Sequence, residues 1–367
     1  MKDNITHWVG MDVHADKIQI AVFWGNEQEP REEYETDTDS RSLKRLLKKL
    51  TALPGKVRCI YEAGPCGYEL QRFLSGNEIS CDVAAPSLIP QRAGDRVKTD
   101  RRDAKKLGRL YRSGELTTVA IPDKSQEAVR DLVRAREDAL EDVRRKRHRL
   151  EKFLLRHGYR YREGRPWTLA HSKWLGGICF EDAFLKTVFD EYKISVDQAE
   201  EQLQRLSLAV TEVSTTVQYK KPAGFQMTLR GIQTLTAMTI LSEFGDLRRF
   251  GTAREFMAAI GLVPSEFSSG AKTRRGSITK TGNAHVRRVL VEAAWHYRHK
   301  PVPGKAVKAR RAGQPLGVLS IAQKADVRLY RKFRRMTDRG KRSTIAAVAV
   351  ARELAGFVWA IGQQTRA

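Results

Sequence analysis

The chain has 367 residues, with 67 Lys and Arg against 43 Asp and Glu, for a formal charge of +24 at pH 7. Its 41% of hydrophobic residues supply a core for two or three domains, which excludes a disordered tail protein. The excess of cations calls for a polyanionic partner, nucleic acid in preference to an acidic membrane surface, because no basic amphipathic segment is concentrated at one terminus.

Cys59, Cys66, Cys81 and Cys179 fit neither a disulfide framework nor a zinc site by number or spacing. Met1 to His7 carries no apolar segment behind a basic cluster, which predicts no secretory signal. The longest apolar stretches, such as Ile345 to Ala351, fall far short of the ~18 residues of a membrane span. A reducing, cytoplasmic protein with no membrane partner is expected.

From His7 to Val119 short β-rich runs alternate with helical ones, an α/β pattern. Trp8 to Val13 and Ile18 to Trp24 read as a hairpin, Ser40 to Leu50 as an amphipathic helix, and Val57 to Tyr61 and Cys81 to Ala84 as later strands. A hairpin first and a crossover helix later give a mixed sheet. Beyond Pro122 the strand signals vanish. Val129, Val133, Leu140, Val143, Leu150 and Leu154 fall on steps of three and four, with Arg136 and Arg147 filling seam positions, and a second such seam runs from Leu185 to Val217. Two long helices of a coiled-coil arm are expected, separated by an aperiodic loop from Gly158 to Gly177; whether they pair within or between chains is left open. Further helices are expected over Thr234 to Phe244, Ala253 to Ile260, Asn283 to His299 and Thr344 to Ile361, with a basic Ser/Gly-rich break from Pro264 to Asn283. The expected domains are 1–122, 123–220 and 221–367.

Asp12 stands at the end of the first strand, Glu62 ends the strand V-R-C-I-Y-E, and Asp100 and Asp103 lie one turn apart on a helix. Four carboxylates can therefore converge at one sheet edge. Mg²⁺ takes oxygen ligands, and a pair of such ions about 4 Å apart activates the attacking oxygen and stabilises the leaving one in phosphoryl transfer. Each acid alone is as well explained by a cap or by pairing with Arg101, Arg102, Lys105 or Lys106; the order of strand-one Asp, later strand-end Glu and helical Asp pair matches a ribonuclease H-like layout. His14 shares a strand face with Asp12, but a lone His is more often structural.

The segments G-M-D-V-H-A-D-K, Y-E-A-G-P-C-G-Y, A-P-S-L-I-P and D-R-V-K-T-D-R-R-D-A-K-K-L resemble the DEDD, RuvC-like domain of the insertion sequence one-ten family of transposases. That resemblance implies an RNase H-like (RuvC-like) mixed sheet, a long coiled-coil connector and a helical C-terminal transposase domain, with the acidic tetrad on Asp12, Glu62, Asp100 and Asp103. It resumes at F-G-T-A-R-E-F-M-A-A-I-G-L-V-P-S-E-F-S-S-G-A-K-T-R-R-G-S-I-T-K-T-G-N, where the family's nucleophilic serine before a glycine aligns with Ser269. Ser268 and Ser265 stand close by, and Ser-Ser-Gly is also ordinary turn chemistry. The resemblance further implies DNA strand exchange through a phosphoserine linkage, a composite site built from two subunits, donor and target DNA as partners, a noncoding guide RNA encoded by the element, a homo-oligomer assembling from dimer to tetramer, and a bacterial, nucleoid-associated setting.

Lys272, Arg274, Arg275, Lys280, Arg287 and Arg288 flank the serine and suit phosphate neutralisation at a scissile bond, with solvated charge as the plainer alternative. A run through M-T-L-R-G-I-Q-T-L resembles a helix-hairpin-helix, but Gln233 and Arg230 replace its second glycine and its proline, so packing competes with phosphate binding. Tyr159, Tyr161 and Trp167 interleave with arginines between Arg144 and Arg165, a pattern suited to unpaired RNA. Two other functions stay open: a RuvC-like, metal-dependent junction endonuclease with a purely structural serine loop, and a non-catalytic nucleic-acid-binding protein.

Overall fold

A computed structural model describes residues 5–91, 99–269 and 274–366. The chain divides into two compact units, Met1–Pro122 and Asp123–Ala367.

The first unit contains β1 (Thr6–Val13), β2 (Lys17–Trp24), β3 (Glu32–Asp37), α1 (Ser40–Thr51), β4 (Lys56–Glu62), α2 (Glu69–Gly76), β5 (Ser80–Ala84) and α3 (Asp100–Arg112). They build the expected mixed sheet, five-stranded and ordered β3-β2-β1-β4-β5. The pairs β1–β2 and β2–β3 are antiparallel, whereas β1–β4 and β4–β5 are parallel. Alternation explains the layers. Val9, Met11, Ile20, Tyr61 and Val83 pack against Leu46 and Leu50 of α1 and Leu70 and Leu74 of α2. On the other face Ile60 and Ala84 meet Leu107 and Tyr111 of α3, and Ala21 and Phe23 meet Ala104. The close approach there requires glycine: a Cβ on Gly10 would lie 2.1 Å from the Ala104 carbonyl oxygen, and one on Gly108 would strike the Phe23 ring at 2.5 Å.

The second unit contains α4 (Lys124–Arg156), α5 (Leu169–Gly176), α6 (Ala183–Ser214), α7 (Val217–Gln226), α8 (Thr234–Phe244), α9 (Ala253–Ala259), β6 (Pro264–Glu266), β7 (Arg275–Ile278), α10 (Ala284–Ala294), α11 (Lys305–Arg311), α12 (Leu316–Asp338) and α13 (Ser343–Gly362). Helices α4 and α6 pair antiparallel within the chain. The polar seam positions are satisfied across that pair: Arg136 Nε donates to Ser207 Oγ at 3.1 Å and Arg147 Nε to Glu200 Oε1 at 2.9 Å.

Three expectations need correction, and one open alternative is decided. The 158–177 segment is not all loop, because it holds α5, capped by Thr168. Its rings close the end of the α4–α6 pair: Trp167 donates to Glu151 at 2.8 Å beneath the Arg147 guanidinium, Tyr159 donates to the Cys179 carbonyl, and Tyr161 packs on His171 and Trp174. Strands do occur beyond Pro122, since β6 and β7 form an antiparallel pair inside the Ser/Gly-rich break. A helical stretch, Ser343–Thr365, is by length and composition apolar enough to cross a membrane. It is a core helix here, burying Ala347, Val350, Ala351, Leu354 and Val358 with α10 and α12, and Arg352 and Glu353 had hidden its length from a search for unbroken apolar runs. The resembled helix-hairpin-helix turn is packed: Leu229 and Ile232 are fully buried, Arg230 donates to the His296 carbonyl at 2.8 Å, and Gly231, at φ +79°, backs onto Ala293.

Candidate active site

Three elements, β1, β4 and α3, deliver acids to the C-terminal edge of the sheet. The parallel register of β1 with β4 ends at Met11 beside Tyr61, so the next residues, Asp12 and Glu62, sit at neighbouring strand ends. Thr99 caps α3 by accepting from Arg102 N, which places Asp100 and Asp103 in its first turn, where the helix dipole favours anions. The contact at Gly10 fixes α3 against β1.

The carboxylates of Asp12 and Asp100 and the ring of His14 bring donor atoms within 4.8 Å of one another. His14 Nε2 lies 3.3 Å from Asp12 Oδ2 and 3.6 Å from Asp100 Oδ1. Glu62 and Asp103 are not in that group, although the Asp103 charge reaches Asp12. Burial pushes the Asp12 carboxyl above its ordinary range, His14 opposes this, and the charges of Asp103 and Asp100 add to the rise. Neighbouring cations are largely turned elsewhere: Arg101 and Lys105 pair with Glu33 of β3, the latter at 2.8 Å. Carboxylate oxygens and an imidazole, gathered about an acid whose burial disfavours its ionisation, form a donor set that a divalent cation suits. His14 was read in the sequence as structural; the signal for its place was its alternation with Asp12.

In the second unit the three serines differ. Ser265 Oγ donates to the Ser277 carbonyl at 3.1 Å, and Ser268 Oγ donates to Glu266 Oε1 at 2.8 Å. Ser269 is exposed and its hydroxyl has no partner among the described residues. The hydrogen bond from Ser268, with Arg275 beside it, holds Glu266 below its ordinary range, so this carboxylate is a poor base for Ser268. Lys272 lies outside the described residues. Arg274, Arg275 and Lys280 are exposed around the strand pair, Arg275 reaching Glu266 at 3.4 Å. Arg287 and Arg288 are committed internally: Arg287 donates to the Ile260 carbonyl at 3.0 Å, and Arg288 pairs with Glu137 and with Glu292.

A network centred on the buried Glu243 holds the far end of the serine segment. Glu243 of α8 accepts from Arg134 Nε and Nη2 at 2.7 and 2.9 Å and from Asn283 Nδ2 at 2.7 Å. Asn283 is also the N-cap of α10, and His285 meets Glu137 of α4 at 2.7 Å. Sequence reasoning missed this network because its partners are far apart in the chain.

Residues 9–158 match the DEDD family of IS110 elements, described as Transposase, and residues 225–307 match the Transposase IS116/IS110/IS902 family. The chain is 42% identical over 360 residues to the "Putative transposase y4qE" of Sinorhizobium fredii, across 98% of this chain and 89% of that one. It is 35% identical over 339 residues to the transposase for insertion sequence element IS1533 of Leptospira borgpetersenii, across 91% and 98% of the two chains.

Proposed function

The chain belongs to the IS116/IS110/IS902 family of transposases, enzymes that cleave DNA and transfer its strands, and from that membership we propose that it recombines DNA through a serine nucleophile assisted by a metal-binding acidic site. The observation that carries this reading is the convergence of Asp12 and Asp100 at the sheet edge, with the charge of Asp103 felt at Asp12. The antiparallel β1–β2–β3 and parallel β4–β5 arrangement supports an RNase H-like, RuvC-like unit over 1–122, and the α4–α6 pair supports a coiled-coil connector over 123–220 leading to a transposase domain over 221–367.

Asp12, Asp100, Asp103 and Glu62 would hold divalent metal, Mg²⁺ and a pair of ions by this reading. Bound there, it would supply Lewis-acid stabilisation of charge on the phosphoryl oxygens. Ser269 Oγ attacks phosphorus, the bond to the leaving DNA oxygen breaks, and the leaving strand departs with a hydroxyl. A hydroxyl of the exchanged strand then attacks the phosphoserine and returns Ser269 to its free form, so no phosphodiester energy is lost to water. Arg274, Arg275 and Lys280, with Lys272, bind the scissile phosphate region, while Arg287 and Arg288 hold the segment's frame. By the same reading a noncoding guide RNA selects donor and target, the chain works as a homo-oligomer, dimer to tetramer, and the setting is the bacterial cytoplasm at the nucleoid.

The test is denaturing-gel detection of a covalent protein–DNA complex with the full chain, the element's noncoding RNA, Mg²⁺ and labelled junction DNA. An adduct formed by the wild type and absent in Ser269→Ala and Asp12→Ala is expected. Loss in Ser268→Ala alone would move the nucleophile by one residue. Cleavage without any adduct, unchanged in Ser269→Ala, would leave a RuvC-like endonuclease.

A further inference from the structure

Helix α12 begins at Leu316, beyond both family-matched segments. Val318, Ala322, Ala325, Leu329 and Phe333 bury one face of it in the core. On another face Lys324, Arg328, Arg331 and Arg335 recur at steps of four, three and four, which stacks them in one stripe. Together with Lys332 and the α13 residues Glu353 and Phe357 they line an open groove of about 1060 Å³. Glu353 engages two of these cations, Arg328 at 2.8 Å and Lys332 at 2.6 Å. Lys324, Arg331 and Arg335 are exposed and have no hydrogen-bond or ion-pair partner among the described residues.

Like charges stacked at helical spacing oppose one another, and a polyanion laid along the stripe removes that opposition. The stripe from Lys324 to Arg335 rises about 16 Å, long enough to follow a run of phosphates. The groove offers cations without exposed stacking rings, since Phe357, the ring in its lining, is partly buried against the core. Surfaces for single strands interleave aromatic rings with cations; surfaces for duplex backbone do not need them. We propose that the α12–α13 groove is a docking site for duplex DNA, holding the phosphate backbone without reading sequence. The site rests on the family's action on DNA and not on the serine chemistry.

The test measures binding of the full chain to a labelled duplex of arbitrary sequence across a salt series by fluorescence anisotropy. Combined Lys324→Ala, Arg331→Ala and Arg335→Ala should make the log–log salt slope shallower by about 2–3 and weaken affinity by about tenfold or more at low salt, each lost phosphate contact being worth ~0.9 in slope. Combined Lys324→Arg, Arg331→Lys and Arg335→Lys should match wild type. Arg331→Ala alone should lose about one contact, so the proposal stays testable if the triple variant melts early. An unchanged slope and affinity in the alanine variants, or a loss confined to a single-stranded RNA probe, overturns it. A wild-type chain that forms no covalent adduct yet keeps the full salt slope would count against the serine mechanism alone.

Discussion

A methyl group on Gly10 would meet the Ala104 carbonyl oxygen at 2.1 Å and the Gly108 nitrogen at 2.4 Å, both of them α3 backbone. Backbone cannot swing aside as a side chain can, so Gly10→Ala lifts α3 from β1, and α3 carries Asp100 and Asp103. The substitution is expected to cost about 1–3 kcal/mol, as overpacking does, and to abolish DNA cleavage although no acid is changed. Calorimetry and a cleavage assay check it together; full cleavage by the variant would show that the seat of α3 does not set the site. The places of the four acids, at two strand ends and in the first turn of α3, were legible in the sequence because each follows an apolar run or opens a helix. Gly10 was not, since only the folded contact between strand and helix gives that glycine a task. His14 lay between these cases, visible by alternation and unremarkable by type.

Among elements, the strands that sequence revealed, β1, β2, β4 and β5, are those with buried apolar residues, the edge strand β5 included. The edge strand β3, Glu-Glu-Tyr-Glu-Thr-Asp, stayed hidden because its one outer flank and one face are wet, and β6 and β7 stayed hidden because they are short and mostly exposed. The α4–α8–α10 tie is equally a tertiary fact, with Arg134 and Glu243 separated by 109 positions. Burial would raise the Glu243 carboxyl, but hydrogen bonds from Arg134 and Asn283 and the nearby Arg130 outweigh it and hold the group below its ordinary 4.5. A carboxylate depressed on folding stabilises fully above its unfolded value and loses that contribution as pH falls through the folded one. Urea unfolding at stepped pH should therefore show stability falling below about pH 4.5 in part through this group, and Glu243→Gln should flatten that limb. Glu243→Ala should cost about 1–3 kcal/mol near neutrality, because it removes the acceptor of Asn283 and of the half-exposed Arg134, while Arg130 keeps the Ser242 and Glu243 carbonyls. An equal acid limb in wild type and Glu243→Gln would assign the loss to other carboxylates.

At the scale of the whole molecule, charge and chemistry are carried by different residues. The formal +24 comes from side chains spread along the chain, whereas the acids that suit a divalent cation form one cluster. Affinity for a polyanion from released counterions depends on Lys and Arg and falls with salt; strand cleavage depends on the state of a few carboxylates. Removing divalent metal with a chelator should then separate the two. Duplex affinity should stay within about twofold of its value with Mg²⁺ once ionic strength is matched, since counterion release is set by the protein's cations, while cleavage and the covalent adduct disappear and return on adding Mg²⁺ back. Asp12→Ala should reproduce the chelated state without a chelator, binding DNA and leaving it uncut. If chelation instead abolished binding and cleavage together at matched ionic strength, metal would be bridging protein to DNA, and the acidic cluster would belong to recognition as much as to chemistry.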